Sequence, residues 1–329
     1  MPRAHFRISH LPGDRPDGLL FLTGDHRAWS DDPGGWTFDA SGTLDADLPE
    51  GALLMVKVRG VLPDGTVTEE GDPWGGRAPA HTVVVQGDTE TVLEVAGWQD
   101  DREGRGRPAR SLPPTSEHSL AAPWGEQVVR LWEPAGATGT LPLLILHDGQ
   151  NVFDEVPSFA GETWDAGRAA QALADAGHPV RIAALPVDAA RSRRYVPFPF
   201  EMNAFEPGAD EYLDWILGTL RPFLAGQWGD TPPTQTALAG SSFGGLITLY
   251  AGLRDPAAWG TLGVLSPAIW PADFELLRWM ENRAAPHARM WLDMGDHEGG
   301  SVTEAAEVVQ LTHDLAATLR PKLKDVHVT

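Results

Sequence analysis

The chain has 329 residues, of which 42% are hydrophobic, and a formal net charge of -21 at pH 7. This length exceeds the usual size of one domain and predicts two, one of them with a sizeable core. The negative charge repels phosphates and anionic lipid surfaces, and the sequence carries no basic patch to offset it. We therefore expect neither a nucleic-acid nor a membrane partner, and we attribute the acidity to solubility rather than to a cationic or metal-bearing substrate.

The sequence contains no cysteine, which excludes disulfide bonds, thiolate metal sites and a cysteine nucleophile. It has no run of about 18 apolar residues, and its start, Met-Pro-Arg-Ala-His-Phe-Arg, lacks the apolar stretch of a signal peptide. The sequence therefore predicts a cytoplasmic protein.

Residues 1–98 alternate short apolar runs with Pro, Gly and Asp, as at Leu19–Thr23, Leu53–Val58 and Thr82–Val85. Regular short strands separated by turn residues predict a small all-β sandwich domain. Residues 99–110 are rich in Gly and charge and have no apolar periodicity, so we interpret them as the linker between two domains.

Residues 111–329 alternate apolar strands with helical stretches. The predicted strands are Leu143–Leu146, Ile182–Leu185, Ala237–Ala239, Leu262–Leu265, Met290–Leu292 and Asp325–Thr329, and the predicted helices are Asp165–Ala176, Ala209–Leu224, Leu246–Leu253 and Val302–Leu319. This alternation predicts an α/β domain with a doubly wound, mostly parallel sheet and helices on both faces. Ligands of such a domain bind at the carboxyl ends of the strands.

The segment Gly240-Ser241-Ser242-Phe243-Gly244-Gly245 lies between a predicted strand and an apolar helix. Gly-x-Ser-x-Gly in this context is typical of a nucleophile elbow, in which a strained turn exposes the serine hydroxyl and small neighbours let strand and helix approach. Ser242 occupies the central position and Ser241 does not. The Phe243 backbone N–H then lies at a helix N-terminus, where it can bind an oxyanion. The alternative is a tight turn without chemistry.

A second oxyanion donor normally comes from the loop after an earlier strand. Here that loop is His147–Asp154, and its glycine lets the backbone turn so that an N–H of Gln150 or Asn151 points at the substrate carbonyl. We assign the oxyanion hole to Phe243 and Gln150. An ordinary Asp-Gly turn is the alternative.

Three segments, Ile145–Asp154, Gly240–Leu246 and Leu265–Trp270, resemble the esterase family of α/β-hydrolases that includes the enterochelin esterases and esterase-D-like hydrolases. The resemblance implies an α/β-hydrolase fold and hydrolysis of siderophore-type or other small esters, without a cofactor. We assign Asn151 and Trp270 to substrate binding. The family's acid lies in a Gly-x-x-Glu or Gly-x-x-Asp setting after a later strand, which corresponds here to Glu298, with Asp296 as second choice.

The family's histidine follows the last strand, and here the sequence stops at Thr329, directly after that predicted strand. His327 alternates within the strand and is a poor candidate, whereas His297 and His313 fit structural or exposed positions. We expect the histidine loop to lie beyond Thr329. Loss of the base costs several powers of ten in rate, so the chain as given is expected to be nearly inactive.

Two further features bear on ligands. Arg191 and Arg194 follow another strand and are candidates for pairing with an acidic substrate group, with a surface ion pair as the alternative. Metal chemistry is disfavoured because His297 and Glu298 are followed by Gly299-Gly300-Ser301, without a second histidine at the spacing of a zinc motif.

Residues 20–29 and 64–73 resemble the starch-binding type of carbohydrate-binding module, although Glu69 stands where that module has a tryptophan. Trp29, Trp36 and Trp74 are the remaining candidates for sugar contact. Because tryptophans in a small sandwich are usually core residues, we expect a lid or specificity wall rather than a glycan site. A catalytically weak carbohydrate-binding or interaction protein remains the alternative to an esterase.

Overall fold

The computed structural model describes residues 1–11, 18–106, 115–159, 161–200, 206–281, 283 and 288–329. The chain divides into two units. Unit 1 contains residues 1–110, 154–163 and 295–309, and unit 2 contains residues 111–153, 164–294 and 310–329. The predicted linker 99–110 is described as far as residue 106, and its last four residues lie outside the described residues.

Unit 1 is rich in β-structure because its short apolar runs alternate buried and exposed positions, as along β1. Its strands are β1 Arg3–His10, β2 Leu20–Gly24, β3 Thr43–Asp47, β4 Leu53–Val61, β5 Val67–Gly71, β6 His81–Val84, β7 Thr89–Glu94 and β8 Gly97–Trp98. They form one sheet in the order β3-β1-β7 and a second in the order β2-β4-β5-β8, with β6 paired to β4. Both sheets contribute to one core, which includes Phe6, Leu22, Val56 and Leu93.

Unit 2 contains an eight-stranded sheet. Its strands are β9 Ser116–Ala122, β10 Gly125–Trp132, β11 Leu143–His147, β12 Arg181–Leu185, β13 Thr236–Ser241, β14 Thr261–Leu265, β15 Arg289–Asp293 and β16 Asp325–Val328. The order is β16-β15-β14-β13-β11-β12-β10-β9. All pairs are parallel except β9–β10 and β10–β12. The central strands are nearly continuous apolar runs because helices cover both faces of such a sheet.

The helices are α1 Ala166–Asp175, α2 Arg191–Tyr195, α3 Ala209–Trp215, α4 Arg221–Trp228, α5 Phe243–Arg254, α6 Pro271–Met280 and α7 Val302–Leu319. A π-helical stretch, Ile216–Leu220, joins α3 to α4 where the sequence predicts one helix over 209–224. In the part of the chain that the structure describes, no helix is long and apolar enough to cross a membrane.

The predicted fold class is confirmed: unit 2 has the mostly parallel sheet of an α/β-hydrolase, and a separate β-rich region precedes it. In this order β13 lies in the middle of the sheet, between β11 and β14. The carboxyl ends of these three strands therefore meet at the same edge of the sheet, where parallel α/β proteins bind their ligands.

Candidate active site

Ser242 links the end of β13 to the start of α5 and is exposed. Its backbone has φ 59 and ψ -120, a region that a non-glycine residue occupies at a cost of about 1–3 kcal/mol. The surrounding backbone holds this conformation. The Ser242 N–H donates to the Leu265 carbonyl at 3.0 Å, and the Ser242 carbonyl accepts the N–H of Ala268 at 3.1 Å and of Leu246 at 3.0 Å.

Two positions of the motif require glycine for steric reasons. A Cβ on Gly240 would lie 2.8 Å from the carbonyl carbon and oxygen of Gly244, so β13 and α5 approach too closely for a side chain. A Cβ on Gly244 would lie 3.2 Å from the Asp148 carboxylate and 3.4 Å from the His147 Cβ. The elbow therefore packs directly against the loop that follows β11.

That loop is a short 3₁₀-helix, Gly149–Asn151, preceded by Asp148 in the left-handed conformation with φ 53. A Cβ on Gly149 would lie 2.5 Å from the backbone nitrogens of Leu185 and Pro186, so the loop packs tightly on the end of β12. The Gln150 Oε1 accepts the N–H of Val187 at 3.0 Å, which anchors the loop further.

The proposed oxyanion donors, Phe243 and Gln150, both lie in the first turn of a helix, where backbone N–H groups have no acceptor within the helix. Such N–H groups are suited to bind a developing negative charge, and at Phe243 the dipole of the twelve-residue helix α5 adds to this. The structure thus brings the two loops that carry these residues together. Their role as donors stays a prediction, as does the assignment of Asn151 to substrate binding.

Arg191, the first residue of α2, lies between these two loops. Its Nε donates to the Asp148 Oδ1 at 2.7 Å, and its Nη2 donates to the Asp148 Oδ2 at 2.8 Å and to the Ser241 carbonyl at 3.1 Å. Its Cζ also lies 5.4 Å from the ring centre of Tyr195 and 5.5 Å from that of Phe243. The guanidinium is therefore engaged with the protein on several sides.

A cluster of three buried polar side chains, His147, Tyr195 and Tyr212, lies at the start of the loop after β11. The His147 Nδ1 and the Tyr212 hydroxyl are 2.9 Å apart, and the Asp148 N–H donates to the Tyr195 hydroxyl at 3.2 Å. Burial lowers the pKa of His147 to about 3, with the nearby Arg191 charge as a smaller cause. Burial also raises the pKa values of Tyr195 and Tyr212. All three side chains are therefore neutral at pH 7, and their hydrogen bonds hold the start of the loop in place.

Sequence reasoning missed Asp293, the last residue of β15. Its Oδ1 accepts the N–H of Ser266 at 2.9 Å, and its carbonyl accepts the same N–H at 3.1 Å. Ser266 begins the loop 266–268, whose Ala268 in turn donates to the Ser242 carbonyl. Asp293 thus supports the elbow from the side opposite to Arg191. The sequence feature that could have identified Asp293 is an acidic residue at the end of a predicted apolar strand.

The structure separates His327 from the nucleophile. His327 pairs with Trp291 of β15, which aligns with Gly263 of β14 and then with Ala239 of β13. Three strand spacings place its Cα about 14 Å from that of Ala239. Its ring stacks on Trp291 with the ring centres 5.6 Å apart. Among the described residues, no histidine is hydrogen-bonded to Ser242.

The other candidate residues of the triad are exposed. His313 lies on the exposed side of α7, and His297 hydrogen-bonds Asp296 at 2.7 Å, which lowers the pKa of that carboxyl. Asp296 and Glu298 belong to unit 1, whereas Ser242 belongs to unit 2. The assignment of Glu298 or Asp296 as the acid stays a prediction.

Trp270 lies just beyond the loop that holds the elbow, and its side chain is 46% exposed. Its ring centre lies 5.8 Å from that of Phe243 and 5.9 Å from that of Phe200, and these last two are 6.3 Å apart. Three aromatic rings therefore form one cluster that includes the residue after Ser242. Apolar surface of this kind suits the flat or apolar part of a substrate.

The three candidate tryptophans of unit 1, Trp29, Trp36 and Trp74, are half-buried. Trp36 packs against the core of that unit and lies 4.5 Å, between ring centres, from His26. Trp29 and Trp74 are also partly covered. The Glu69 carboxylate, which replaces an expected tryptophan, pairs with Lys57 at 2.7 Å and with Arg59. Glycan contact and a lid role for this unit stay predictions.

Comparison with known proteins identifies a family. A family model described as "Putative esterase" matches residues 125–325, well over half of the chain. The chain is 28% identical over 186 residues to the iron(III) enterobactin esterase of Dickeya dadantii, a match that covers 53% of this chain and 38% of that protein. It is 35% identical over 63 residues to the siderophore triacetylfusarinine C esterase of Aspergillus fumigatus, covering 19% and 22%. The chain thus spans well under half the length of these curated relatives.

Solved structures show the same fold. The enterobactin esterase FES from Shigella flexneri, in the presence of enterobactin, is 15% identical, with a TM-score of 0.57 and coverage of 94% of this chain and 82% of that chain. The siderophore hydrolase EstA from Aspergillus nidulans is 20% identical, with a TM-score of 0.54 and coverage of 68% and 88%. Similarity to FES thus extends over both units, and similarity to EstA over about two thirds of the chain.

Proposed function

Since the chain belongs to this esterase family, we propose that it is a serine carboxylic-ester hydrolase that acts through an acyl-enzyme on Ser242. The observation that carries the proposal is the exposed Ser242 with φ 59 at the carboxyl end of a central parallel strand, directly before a helix N-terminus. Strain of this kind persists only where the surrounding structure holds it, and it is found more often at active sites than elsewhere.

In the proposed reaction, the Ser242 Oγ attacks the acyl carbonyl carbon, and its proton passes to a general base. The N–H groups of Phe243 and Gln150 bind the oxyanion of the tetrahedral intermediate. The C–O bond to the alcohol then breaks, and the leaving oxygen takes the proton from the base. Water attacks the acyl-enzyme in the same way and releases the acid and free Ser242.

A carboxylate orients the base and stabilises its protonated form. We propose Glu298 for this role, with Asp296 as second choice, because of their position after β15. In α/β-hydrolases the histidine follows the next strand, which is β16 here. The proposal therefore does not assign the base to His297, His313 or His327.

A fluorophosphonate probe tests the nucleophile directly, because it reacts covalently with an activated serine. When the chain includes its general base, we expect peptide mass spectrometry to find the label on Ser242, and we expect labelling to abolish hydrolysis of p-nitrophenyl acetate. Ser242→Ala should lose the label, and the matched control Ser241→Ala should keep it. Label that persists in Ser242→Ala, or that is missing from an unaltered chain that includes the general base, contradicts the proposal.

For the substrate, we propose a siderophore-type ester, with the cluster of Phe200, Phe243 and Trp270 contacting an apolar or aromatic part of it. The names of the relatives from Dickeya dadantii and Aspergillus fumigatus support this class. Asn151 is proposed as a further substrate contact. A cytoplasmic location remains a prediction.

Hydrolysis of ferric enterobactin, compared with p-nitrophenyl acetate, tests the substrate class. We expect kcat/KM to be at least about 100-fold higher for the siderophore, because binding energy from remote groups accelerates the chemical step. Trp270→Ala should lower this preference, whereas Trp291→Ala, an exposed tryptophan on β15, should not. Equal kcat/KM values for the two esters contradict the proposed substrate class but leave the esterase proposal intact.

A further inference from the structure

Arg191 connects the two segments that carry the proposed oxyanion donors. Asp148 lies two residues before Gln150, and Ser241 lies two residues before Phe243. The same Nη2 group donates to the Asp148 carboxylate at 2.8 Å and to the Ser241 carbonyl at 3.1 Å. One planar guanidinium therefore joins the Asp148 side chain of the first segment to the backbone of the second.

The charge of Arg191 is already balanced. The Asp148 side chain is only 3% exposed, so its carboxylate requires a cation in contact with it. Arg191 provides that cation through two parallel hydrogen bonds, the geometry that gives Arg–carboxylate pairs both strength and direction. The pair as a whole is neutral, which leaves little attraction for an acidic substrate group.

The guanidinium also contacts two aromatic rings. Its Cζ is 5.4 Å from the ring centre of Tyr195 and 5.5 Å from that of Phe243. Tyr195 accepts the Asp148 N–H, and the Phe243 backbone follows Ser242 directly. Packing on these rings, together with the hydrogen bonds to Asp148, favours a fixed position of the guanidinium over a mobile one.

We propose that Arg191 is a positioning residue that fixes the Gln150 and Phe243 N–H groups at the spacing needed to bind an oxyanion, and not a ligand for an acidic group of the substrate. This proposal rests on the proposed esterase function. Oxyanion donors act only in a narrow range of distances from the developing charge, so a small shift between the two loops lowers transition-state stabilisation more than substrate binding.

Arg191→Lys tests the role, because lysine keeps the charge but cannot form the two parallel hydrogen bonds. The matched control is Arg193→Lys, the same substitution two residues along α2, where the side chain donates to the Glu206 carbonyl at 3.3 Å. Two p-nitrophenyl esters of similar size serve as substrates, one neutral and one with a carboxylate. We expect Arg191→Lys to lower kcat about 10- to 100-fold for both esters, with KM changed less than about threefold.

The control variant should retain kcat within about twofold. A rise in KM confined to the anionic ester would show that Arg191 binds substrate and would overturn the proposal. An unchanged kcat would overturn it as well. Asp148→Asn is a second variant, and adding Arg191→Lys to it should lower kcat by no more than about another twofold, because the two residues act as one unit.

Hydrogen exchange gives a readout that does not need turnover. In Arg191→Lys we expect faster amide exchange in the peptides around 147–152 and 240–246, with the remaining peptides and the Tm close to those of the control variant. Unchanged exchange in both peptides contradicts the positioning role even if Ser242 is labelled. Faster exchange in a chain whose Ser242 is never labelled would contradict the esterase proposal and leave only the structural contact.

Discussion

At the scale of single residues, steric exclusion explains much of the elbow. Ser242 adopts φ 59, and three backbone hydrogen bonds to neighbouring segments hold it there. Gly240 permits the approach of β13 to α5, which a methyl group would block. These requirements are local, so the Gly-x-Ser-x-Gly pattern was sufficient to predict the position of the turn and of the exposed hydroxyl.

Gly240→Ala is predicted to destabilise the protein, because its Cβ would lie 2.8 Å from the Gly244 backbone. Overpacking of this kind costs about 1–3 kcal/mol. Gly226→Ala in α4 is the control, since its Cβ would have no atom within 4 Å and alanine favours the helix by up to about 1 kcal/mol. Urea unfolding measures both. Equal free energies of unfolding for the two variants would contradict the steric explanation.

His147 is predicted to make stability fall as the pH is lowered. Its pKa is about 3 in the folded protein and ordinarily 6.5, so between these values the unfolded state binds a proton that the folded state does not. Above pH 6.5, protonation of His147 does not lower the free energy of unfolding. Below pH 6.5, this free energy falls by at most about 1.4 kcal/mol per pH unit. His147→Gln, which does not titrate, should lose about 2 kcal/mol less between pH 7 and pH 5. Parallel pH profiles for the two proteins would disprove this cause.

At the scale of elements, hydrophobic pattern predicted the central strands and helices but not the start of the α/β region. β9 alternates half-buried and exposed residues without an apolar run, so the β9–β10 hairpin gave no clear signal. The helix expected over 209–224 contains the π-helical stretch 216–220, which depends on how its apolar side chains pack. α2 is one short, polar turn and was likewise not predicted.

The position of β16 predicts that His327 is not the general base. Its strand lies three places from β13, and its ring stacks on Trp291. His327→Asn should therefore change the rate of fluorophosphonate labelling at Ser242 by less than about twofold, whereas loss of a triad base costs several powers of ten. His313→Asn on α7 serves as a matched exposed control. A large loss confined to His327→Asn would show that the sheet edge rearranges in solution.

At the scale of the whole molecule, the main electrostatic feature is the excess of negative charge. With 46 acidic and 25 basic residues, repulsion among carboxylates acts against the compact state at neutral pH. The ion pairs that the structure describes place most cations beside carboxylates, as at Arg254, and leave the excess negative charge exposed. The excess of negative charge follows from composition and does not depend on the fold.

Moderate salt is predicted to stabilise the protein. Raising the ionic strength from about 10 to 150 mM shortens the Debye length from about 30 to 8 Å and screens the repulsion. We expect the Tm to rise by a few degrees in sodium chloride and equally in choline chloride, which controls for specific binding of sodium. A Tm that falls with either salt would mean that ion pairs outweigh the net repulsion.

The sequence by itself determined the class of fold, the elbow at Ser242 and the companion loop around Gln150, because apolar periodicity and glycine sterics act over a few residues. Only the tertiary structure decided which charged groups pair around that site. Arg191 reaches Asp148 across 43 residues because β11 lies between β12 and β13, and strand order is not encoded in local pattern. The same strand order separates His327 from Ser242. It also places Asp293 next to the loop 266–268, which contacts the Ser242 backbone.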